Sequence, residues 1–323
     1  MSRWGDRRTS ATGHNIVAVL ISAVAFGLLE INFDPLPVSI DAAETAIDLN
    51  RFTQVASPML MAGLIGQPAQ AYSGSSARSV DLEPVEENND RALAQRNVRM
   101  LEEAVTYLQG VSDYTATFYK RELVNGSMGE GQVMHLKLRH QPFSVYMKWI
   151  VGDKGRELLY VDGENDGNML VKVGGIRGRL LPCIKLDPNG SMALRESRHP
   201  VTDVGLLKLT SMLLEHRRQE LAAPEYQIRC RYLPNQRVDG CECCCFIFDF
   251  ATPNVRPPYR RSVQFFEAQH FIPVRVMNYG WEAGAEPDEQ ALLEQYGYSD
   301  IRVNQRLADA DFDRTNAKYS LRR

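Results

Sequence analysis

The chain has 323 residues, a net charge of −3 and 44% hydrophobic residues, so it can bury a substantial core and is not wholly disordered. The near balance of 37 basic and 40 acidic residues argues against a nucleic-acid binder, which needs a basic face to neutralise phosphates. A mean hydropathy of −0.31 excludes a polytopic membrane protein.

The N-terminal region predicts export. Residues 16–29 form an uncharged apolar run that follows a stretch containing Arg3, Arg7 and Arg8. This is the charge and length profile of a signal peptide. Residues 1–30 are therefore predicted to be a signal peptide or a membrane anchor.

A second apolar run, within residues 52–71, is an alternative signal segment. It ends in Pro68-Ala69-Gln70-Ala71, which suits a cleavage site, and the true start would then lie downstream. Residues 31–88 as a whole are predicted to be a weakly ordered tether. Either signal predicts a location in the periplasm or cell envelope. If residues 16–29 are retained, they anchor the protein in the inner membrane.

The first predicted element is an amphipathic helix from Asn89 or Asp90 to Gly110, because apolar residues recur there at helical spacing. The hydrophobic period then changes to two, which is typical of half-buried strands. Five strands are predicted in this part of the chain, at residues 114–119, 132–139, 143–150, 157–161 and 169–173. The glycine- and proline-rich residues 174–200 are expected to be irregular.

A second helix is predicted over residues 203–220, and strands then resume. These later strands are predicted at residues 225–233, 242–250, 261–267, 273–279 and 298–306. The order helix, meander, helix, meander indicates an α+β fold in which one curved antiparallel sheet wraps around helices. The domain is predicted to span residues 89–312, followed by a polar tail at 313–323.

Short sequence pieces in a fixed order resemble a known family. These pieces are Ser112-Asp113-Tyr114-Thr115-Ala116-Thr117-Phe118, Glu130-Gly131-Gln132, Leu136-Lys137-Leu138, Pro142-Phe143, Tyr160-Val161-Asp162-Gly163, His270-Phe271-Ile272-Pro273-Val274-Arg275, Tyr298-Ser299-Asp300-Ile301-Arg302-Val303-Asn304 and Asp311-Phe312. Over residues 95–312 the sequence resembles domain-of-unknown-function family 1571. More remotely it resembles the LolA/LolB/RseB-like lipoprotein-carrier superfamily.

This resemblance implies an unclosed antiparallel β half-barrel, LolA-like, with helices plugging its concave side. It also implies a periplasmic protein that uses an apolar concavity for acyl chains or lipoproteins. The long tether and the 174–200 insert depart from a LolA-like carrier.

The concave face is the predicted binding site, because small-molecule sites are apolar pockets with few polar groups. The alternative is that the two helices fill the concavity. The residues predicted to line it are Met134, Leu136, Leu138, Tyr146, Leu158, Tyr160, Met169, Val171, Phe246, Phe248, Phe265 and Val276.

Four of the six cysteines cluster at Cys241, Cys243, Cys244 and Cys245. Adjacent cysteines of a strand point to opposite faces, which disfavours a zinc site with converging ligands. They are either small buried hydrophobes or, in an exported protein, disulfide partners. In the second case, Cys230 on the preceding strand could pair with Cys241, Cys243 or Cys245, and Cys183 is a further candidate.

No catalytic activity, metal or cofactor is predicted. The sequence lacks G-x-S-x-G and H-E-x-x-H motifs, and His199 and His270 are interpreted as structural. The favoured function is an exported envelope protein that binds a lipid, an acyl chain or a lipoprotein. One alternative is an RseB-like regulator or structural protein that docks an envelope protein partner. Another is an envelope hydrolase, which would need converging titratable groups in a cleft.

Overall fold

The computed structural model describes residues 89–178, 180–223, 227–281 and 291–322. The predicted signal segment 1–30, the tether 31–88 and the alternative signal 52–71 lie outside these residues. Within the described ranges, no helix combines the length and apolar character that a membrane crossing requires.

Two long helices account for most of the helical structure. Helix α1 spans Asp90–Gln109, as its apolar spacing predicts, and the Asn89 side chain accepts a hydrogen bond from the Ala92 N–H at 3.0 Å. Two one-turn helices flank the last strand of the first meander, α2 at Gly175–Gly178 before it and α3 at Ser191–Leu194 after it. Helix α4 spans Leu206–Ala222, and therefore begins three residues later than predicted.

The remaining elements are strands. Those of the first half are β1 (Asp113–Val124), β2 (Ser127–Met128), β3 (Gln132–Arg139), β4 (Ser144–Val151), β5 (Glu157–Val161), β6 (Met169–Lys172) and β7 (Ile184–Leu186). Those of the second half are β8 (Ile228–Val238), β9 (Cys241–Phe250), β10 (Arg261–Glu267), β11 (Pro273–Tyr279) and β12 (Leu292–Val303).

The strands form one antiparallel sheet in the order β7-β6-β5-β4-β3-β1-β12-β11-β10-β9-β8, with β2 pairing only β1. Each half of the chain is a meander, because its strands pair with their neighbours in sequence. The two meanders join where β1 pairs with β12, with Phe118 opposite Tyr298. The order begins and ends at different strands, so the sheet is an open half-barrel, as predicted.

One face of the sheet packs against the helices, and we call it the concave face. Its central residues include Tyr114, Leu136, Met147 and Phe246, which share a large buried cluster with α1 and α4. The helices contribute Leu93, Met100, Leu101, Leu108, Leu206, Leu209, Leu213 and Leu214 to this cluster. The hydrophobic core therefore lies between the helices and the concave face.

The opposite, convex face is also covered in part, by the C-terminal segment. Tyr319 and Leu321 are buried there with Leu159 and Leu170, and the Tyr319 ring stacks on Tyr146 at 3.9 Å between centroids. The prediction of a polar tail after residue 312 is therefore wrong for residues 319 and 321. Two apolar side chains in a polar stretch were too weak a signal to reveal this packing.

Candidate functional site

The concave face brings together most of the residues predicted to line an apolar site. Eight of the ten principal candidates lie in its buried cluster, each at most 7% exposed: Met134, Leu136, Leu138, Leu158, Tyr160, Met169, Phe246 and Phe248. Val171 and Val276 belong to the same cluster. These side chains are buried in one cluster with residues of α1 and α4, so the concavity is occupied by protein in this conformation.

Tyr146 and Phe265 are exceptions, and placing them on the concave face was wrong. Tyr146 lies on the convex face with Tyr319, and Phe265 lies on that face with Cys245 and Val274. Both of their strands are buried on the two faces for much of their length. Alternation of apolar and polar residues therefore does not reveal which way these side chains point.

Helix α4 is held at its start by two tyrosines of the concave face. The Leu206 N–H donates to the Tyr114 hydroxyl at 2.9 Å, and the Gly205 N–H donates to the Tyr298 hydroxyl at 3.3 Å. These hydroxyls satisfy backbone donors that have no partner within a helix. Burial raises the pKa of both tyrosines well above the ordinary value, so both hydroxyls remain protonated.

Two buried amides on the concave side have polar atoms without hydrogen-bond partners. Asn97, on the inner side of α1, is fully buried, and neither its Oδ1 nor its Nδ2 is paired. Gln264 of β10 donates Nε2 to the Ser262 hydroxyl at 3.0 Å but leaves Oε1 unpaired. Buried polar atoms are nearly always hydrogen-bonded, so these mark positions that a water molecule or a ligand would satisfy.

The concave face becomes polar at one end of its central strands. Glu122 of β1 and Glu294 of β12 are register partners there, and both are buried. Glu294 Oε1 accepts from the Tyr259 hydroxyl at 2.6 Å and from Asn278 Nδ2 at 2.7 Å. Its Oε2 lies 2.8 Å from Arg198 Nε and 3.3 Å from His199 Nε2.

Glu122 holds the same segment from the neighbouring strand. Its carboxylate accepts from the Tyr296 hydroxyl, from Lys120 Nζ at 3.1 Å and from the Arg198 N–H at 3.3 Å. We call this group the polar cluster: Lys120, Glu122, Arg198, His199, Tyr259, Asn278, Glu294 and Tyr296. It fastens residues 198 and 199, which lead into α4, to the centre of the sheet.

The protonation states of the polar cluster suit a structural role, the fastening of residues 198 and 199 to the sheet, better than a role in proton transfer. Burial by itself would raise the pKa of Glu294, but hydrogen bonds from His199, Tyr259 and Asn278 lower it to about 2. The hydrogen bond with Glu294 raises the pKa of His199, against the lowering effect of burial. A general base needs a free lone pair and a pKa near 7, whereas Glu294 is ionised and fully engaged by donors.

A family model described as "Protein of unknown function (DUF1571)" matches residues 111–321, more than half of the chain. The chain belongs to the DUF1571 family. No curated protein matches the sequence.

Solved structures similar to this DUF1571 protein include the lipoprotein LppX of Mycobacterium tuberculosis, at 14% identity, a TM-score of 0.38 and coverage of 68% of this chain and 99% of LppX. MucB is 14% identical with a TM-score of 0.36, covering 68% of this chain and 62% of MucB. A LolA superfamily protein from Nitrosomonas europaea is 10% identical with a TM-score of 0.26, covering 67% and 96%.

The polar cluster of the DUF1571 domain was missed by sequence reasoning. Its donors come from residues far apart in the chain, such as Arg198, Tyr259 and Asn278, and they match no motif. One signal was available, because Glu122 continues the inward alternation of Tyr114, Ala116 and Phe118. A carboxylate at an inward strand position indicates buried partners, although it does not identify them.

The six cysteines of the DUF1571 domain are all free. The alternative of a disulfide from Cys230 to Cys243 or Cys245 does not fit this arrangement, because Cys230 lies on the concave face, opposite Phe248, whereas Cys243 and Cys245 lie on the convex face. Cys241 is the register partner of Val238, next to the turn between β8 and β9, and is therefore far from Cys230 along this hairpin. Burial raises the pKa of the Cys230 and Cys245 thiols to about 12. Both therefore behave as small buried hydrophobes.

Two other histidines of the DUF1571 domain, His270 and His216, contact side chains of neighbouring segments. His270 stacks on Tyr107 of α1 at 3.9 Å between ring centroids, and His216 Nδ1 lies 2.6 Å from Arg256 Nη2. Burial, followed by the charge of Arg256, lowers the pKa of His216 to about 4. Within the described part of the chain, no three His, Cys, Asp or Glu side chains are grouped to hold a metal ion.

Proposed function

We propose that this DUF1571 protein is an exported, non-catalytic envelope protein that binds an apolar ligand in the concavity of its half-barrel. The ligand is a lipid, an acyl chain or the acyl part of a lipoprotein. Export rests on the basic start and apolar run at residues 16–29. Binding is assigned to the eight residues of the concave-face cluster, from Met134 to Phe248, that were predicted to line the site.

The chemical character of the lining supports an acyl ligand. Met100, Met134, Met147 and Met169 all lie in the concave-face cluster. Methionine side chains are flexible and fill irregular gaps, so such a lining can repack around a chain of variable shape. Aromatic side chains of β9 and β10 add rigid walls, with Phe246 and Phe266 meeting edge to face at 5.9 Å.

The observation that carries the proposal is the unpaired amide of Asn97. A fully buried amide without partners costs free energy that a well-packed core would avoid. An acyl ligand carries an ester, amide or carboxyl group as well as its chain. Such a group would pair with Asn97, and Gln264 Oε1 offers a second polar position on the facing sheet. This is the combination of apolar walls and few polar groups that ligand pockets display.

We expect the ligand to enter between the helices and the sheet. The two helices are linked to each other, since Arg218 Nη2 lies 2.7 Å from Glu102 Oε1 and Arg91 Nη2 donates to the Leu221 carbonyl at 2.9 Å. They can therefore move as a pair when the contacts of α4 with Tyr114 and Tyr298 open.

Lipid extraction and fatty-acid binding test this function. The full chain is expressed in a bacterial host and recovered from its envelope fraction. Mass spectrometry of the organic extract is expected to find co-purified lipid. After delipidation, a fluorescent fatty acid is expected to bind with a stoichiometry near one. An empty protein that binds no fatty acid would contradict the proposal.

The Asn97→Leu variant separates ligand binding from folding. It removes two unpaired polar atoms, so the free protein is expected to become more stable by about 1–2 kcal/mol in urea unfolding. Affinity for the fatty acid is expected to fall about tenfold, because one hydrogen bond to the ligand is lost. Gln95→Leu, an exposed amide on the same helix, is the matched control and should change neither quantity. Equal affinity in the two variants would remove Asn97 from the site.

A further inference from the structure

A short loop between β6 and β7 exposes large apolar side chains. We define the projecting loop as residues 174–178 together with 180 and 181. Ile176 is 82% exposed and Leu180 is 88% exposed, the largest values among the exposed bulky apolar side chains of the described residues. Leaving two such side chains together in water is unfavourable, and neighbouring exposed apolar residues mark interaction surfaces.

The base of the projecting loop is fixed at both ends. The Gly175 N–H donates to the Lys154 carbonyl at 3.1 Å, and the buried Lys172 ammonium donates to the Leu181 carbonyl. The turn between them is very tight, because a Cβ on Gly178 would lie 1.9 Å from the Val173 carbonyl oxygen. The fold therefore presents Ile176 and Leu180 from a fixed base.

The sequence around the projecting loop is basic, although the whole chain carries a net charge of −3. Between Asp166 and Asp187 there is no acidic residue, and the basic residues are Lys172, Arg177, Arg179 and Lys185. Lys172 is buried and Lys185 is paired with Asp166, so the excess of positive charge in this stretch comes from Arg177 and Arg179. Three acidic residues of neighbouring segments, Asp153, Asp166 and Glu196, have cationic partners. Arg156 Nη1 lies 3.7 Å from Asp153 Oδ2 and 2.7 Å from Glu196 Oε2, and Lys185 Nζ lies 3.1 Å from Asp166 Oδ2.

We propose that the projecting loop docks the protein on an anionic lipid bilayer, with Ile176 and Leu180 entering the interfacial region. Apolar side chains next to basic residues are the combination that binds such surfaces, since insertion and attraction to anionic lipid act together. A protein partner would not require the excess of positive charge. Docking by the loop requires no ligand in the concavity, so an experiment can contradict membrane docking without contradicting ligand binding, and the reverse.

The position of the projecting loop determines which edge of the half-barrel would lie next to the bilayer. The loop precedes β7, the last strand at one end of the open sheet, and Ile184 and Leu186 of β7 pack against the concave-face cluster. A bilayer that touches the loop therefore lies beside one open edge of the half-barrel.

A tryptophan placed in the loop of the full chain tests the proposal. Leu180→Trp is compared with Leu233→Trp, which replaces another exposed leucine on β8 at the opposite end of the sheet. The vesicles contain phosphatidylcholine and phosphatidylglycerol with brominated acyl chains, which quench only nearby indoles. The quenching of the parent protein is subtracted from that of each variant. This subtraction removes the contribution of the native tryptophans and of any insertion by residues 16–29.

The tryptophan at position 180 is expected to be quenched at least threefold more than that at position 233. The quenching should fall with added salt and should be weaker on pure phosphatidylcholine, because the attraction is electrostatic. The double variant Ile176→Ser/Leu180→Ser should reduce the salt-sensitive part of vesicle binding about tenfold. Equal quenching at the two positions would overturn the proposal. A blue-shifted tryptophan that brominated lipid does not quench would also overturn it, and would indicate that the loop is buried against protein, in the same chain or in a second copy.

Discussion

At the scale of single residues, the pairing of His199 with Glu294 makes part of the stability depend on pH. The groups facing His199 are the carboxylates of Glu294 and Glu122 and the guanidinium of Arg198. The hydrogen bond with Glu294 raises the folded-state pKa of His199 above its ordinary value. A histidine with a raised folded pKa stabilises the protein fully below its unfolded pKa, and this contribution is lost as pH rises through the folded value.

We expect the stability difference between the wild type and His199→Gln to be largest below about pH 6.5 and to shrink as pH rises above that value. Urea unfolding at several pH values between 5.5 and 9 measures it. His135→Gln, which replaces an exposed histidine of the convex face, is the control for the substitution itself. A difference for His199→Gln that stays constant over this range would show that its protonation is not coupled to folding.

The sequence predicted which apolar residues are buried better than it predicted which polar residues contact one another. The apolar residues of the core were recognisable because their periodicity depends only on the chain itself. The partners of Glu294 were not, because Arg198, Tyr259 and Asn278 meet only after the sheet has formed. The unpaired amide of Asn97 was equally hidden, since an asparagine on a helix is ordinarily exposed.

At the scale of elements, the start of α4 depends on the conformation of Gly205. Its φ of 120° lies in a region that other residues rarely adopt. A Cβ there would lie 2.7 Å from Leu138 Cδ1 and 3.2 Å from the Tyr114 hydroxyl. Any side chain would therefore push the helix away from the tyrosine that caps it.

We expect Gly205→Ala to destabilise the protein by about 2–4 kcal/mol, from backbone strain and overpacking together. Gly163→Ala is the matched control, because Gly163 also has a positive φ, of 81°, but no atom within 4 Å of the added Cβ. It should cost about 1 kcal/mol, for the backbone alone. Urea unfolding measures both. Equal losses would mean that the contact with Leu138 and Tyr114 contributes nothing.

Most elements were predictable because their patterns are local. Strands β3, β5, β10 and β11 have the predicted bounds, and α1 ends where Gly110 indicates. Strand β12 begins at Leu292, six residues before the predicted start, because buried Glu294 and Gln295 interrupt its apolar alternation. Strand β7 was not predicted at all, since its three residues lie within a glycine- and proline-rich stretch.

At the scale of the whole molecule, the sheet is enclosed from both sides. The helices cover the concave face, and the C-terminal segment covers part of the convex face through Tyr319 and Leu321. This segment is also tied by polar contacts, since Lys137 Nζ lies 2.6 Å from Asp311 Oδ1 and the Ser320 N–H donates to Glu157 at 2.7 Å. The half-barrel was predictable from the order of elements, whereas this second layer was not.

Leu321→Ala is expected to destabilise the domain by about 2–4 kcal/mol, because the side chain is fully buried and its removal leaves a cavity. Arg322→Ala, at the exposed neighbouring position, should remain within about 0.5 kcal/mol of the wild type. Thermal or urea unfolding of the two variants makes the comparison. A neutral Leu321→Ala would mean that the C-terminal segment is dispensable for the fold.

The seam between β1 and β12 has a consequence for the order of folding. Every other pairing on the path through the sheet joins strands close in sequence, and these hairpins can close while the chain is being made. The seam joins residues nearly two hundred positions apart, so it carries the largest loop-closure entropy and must wait for the last strand. Until then, two half-sheets each present an unpaired edge. This is the interval in which the nascent protein is most exposed to mispairing with other chains.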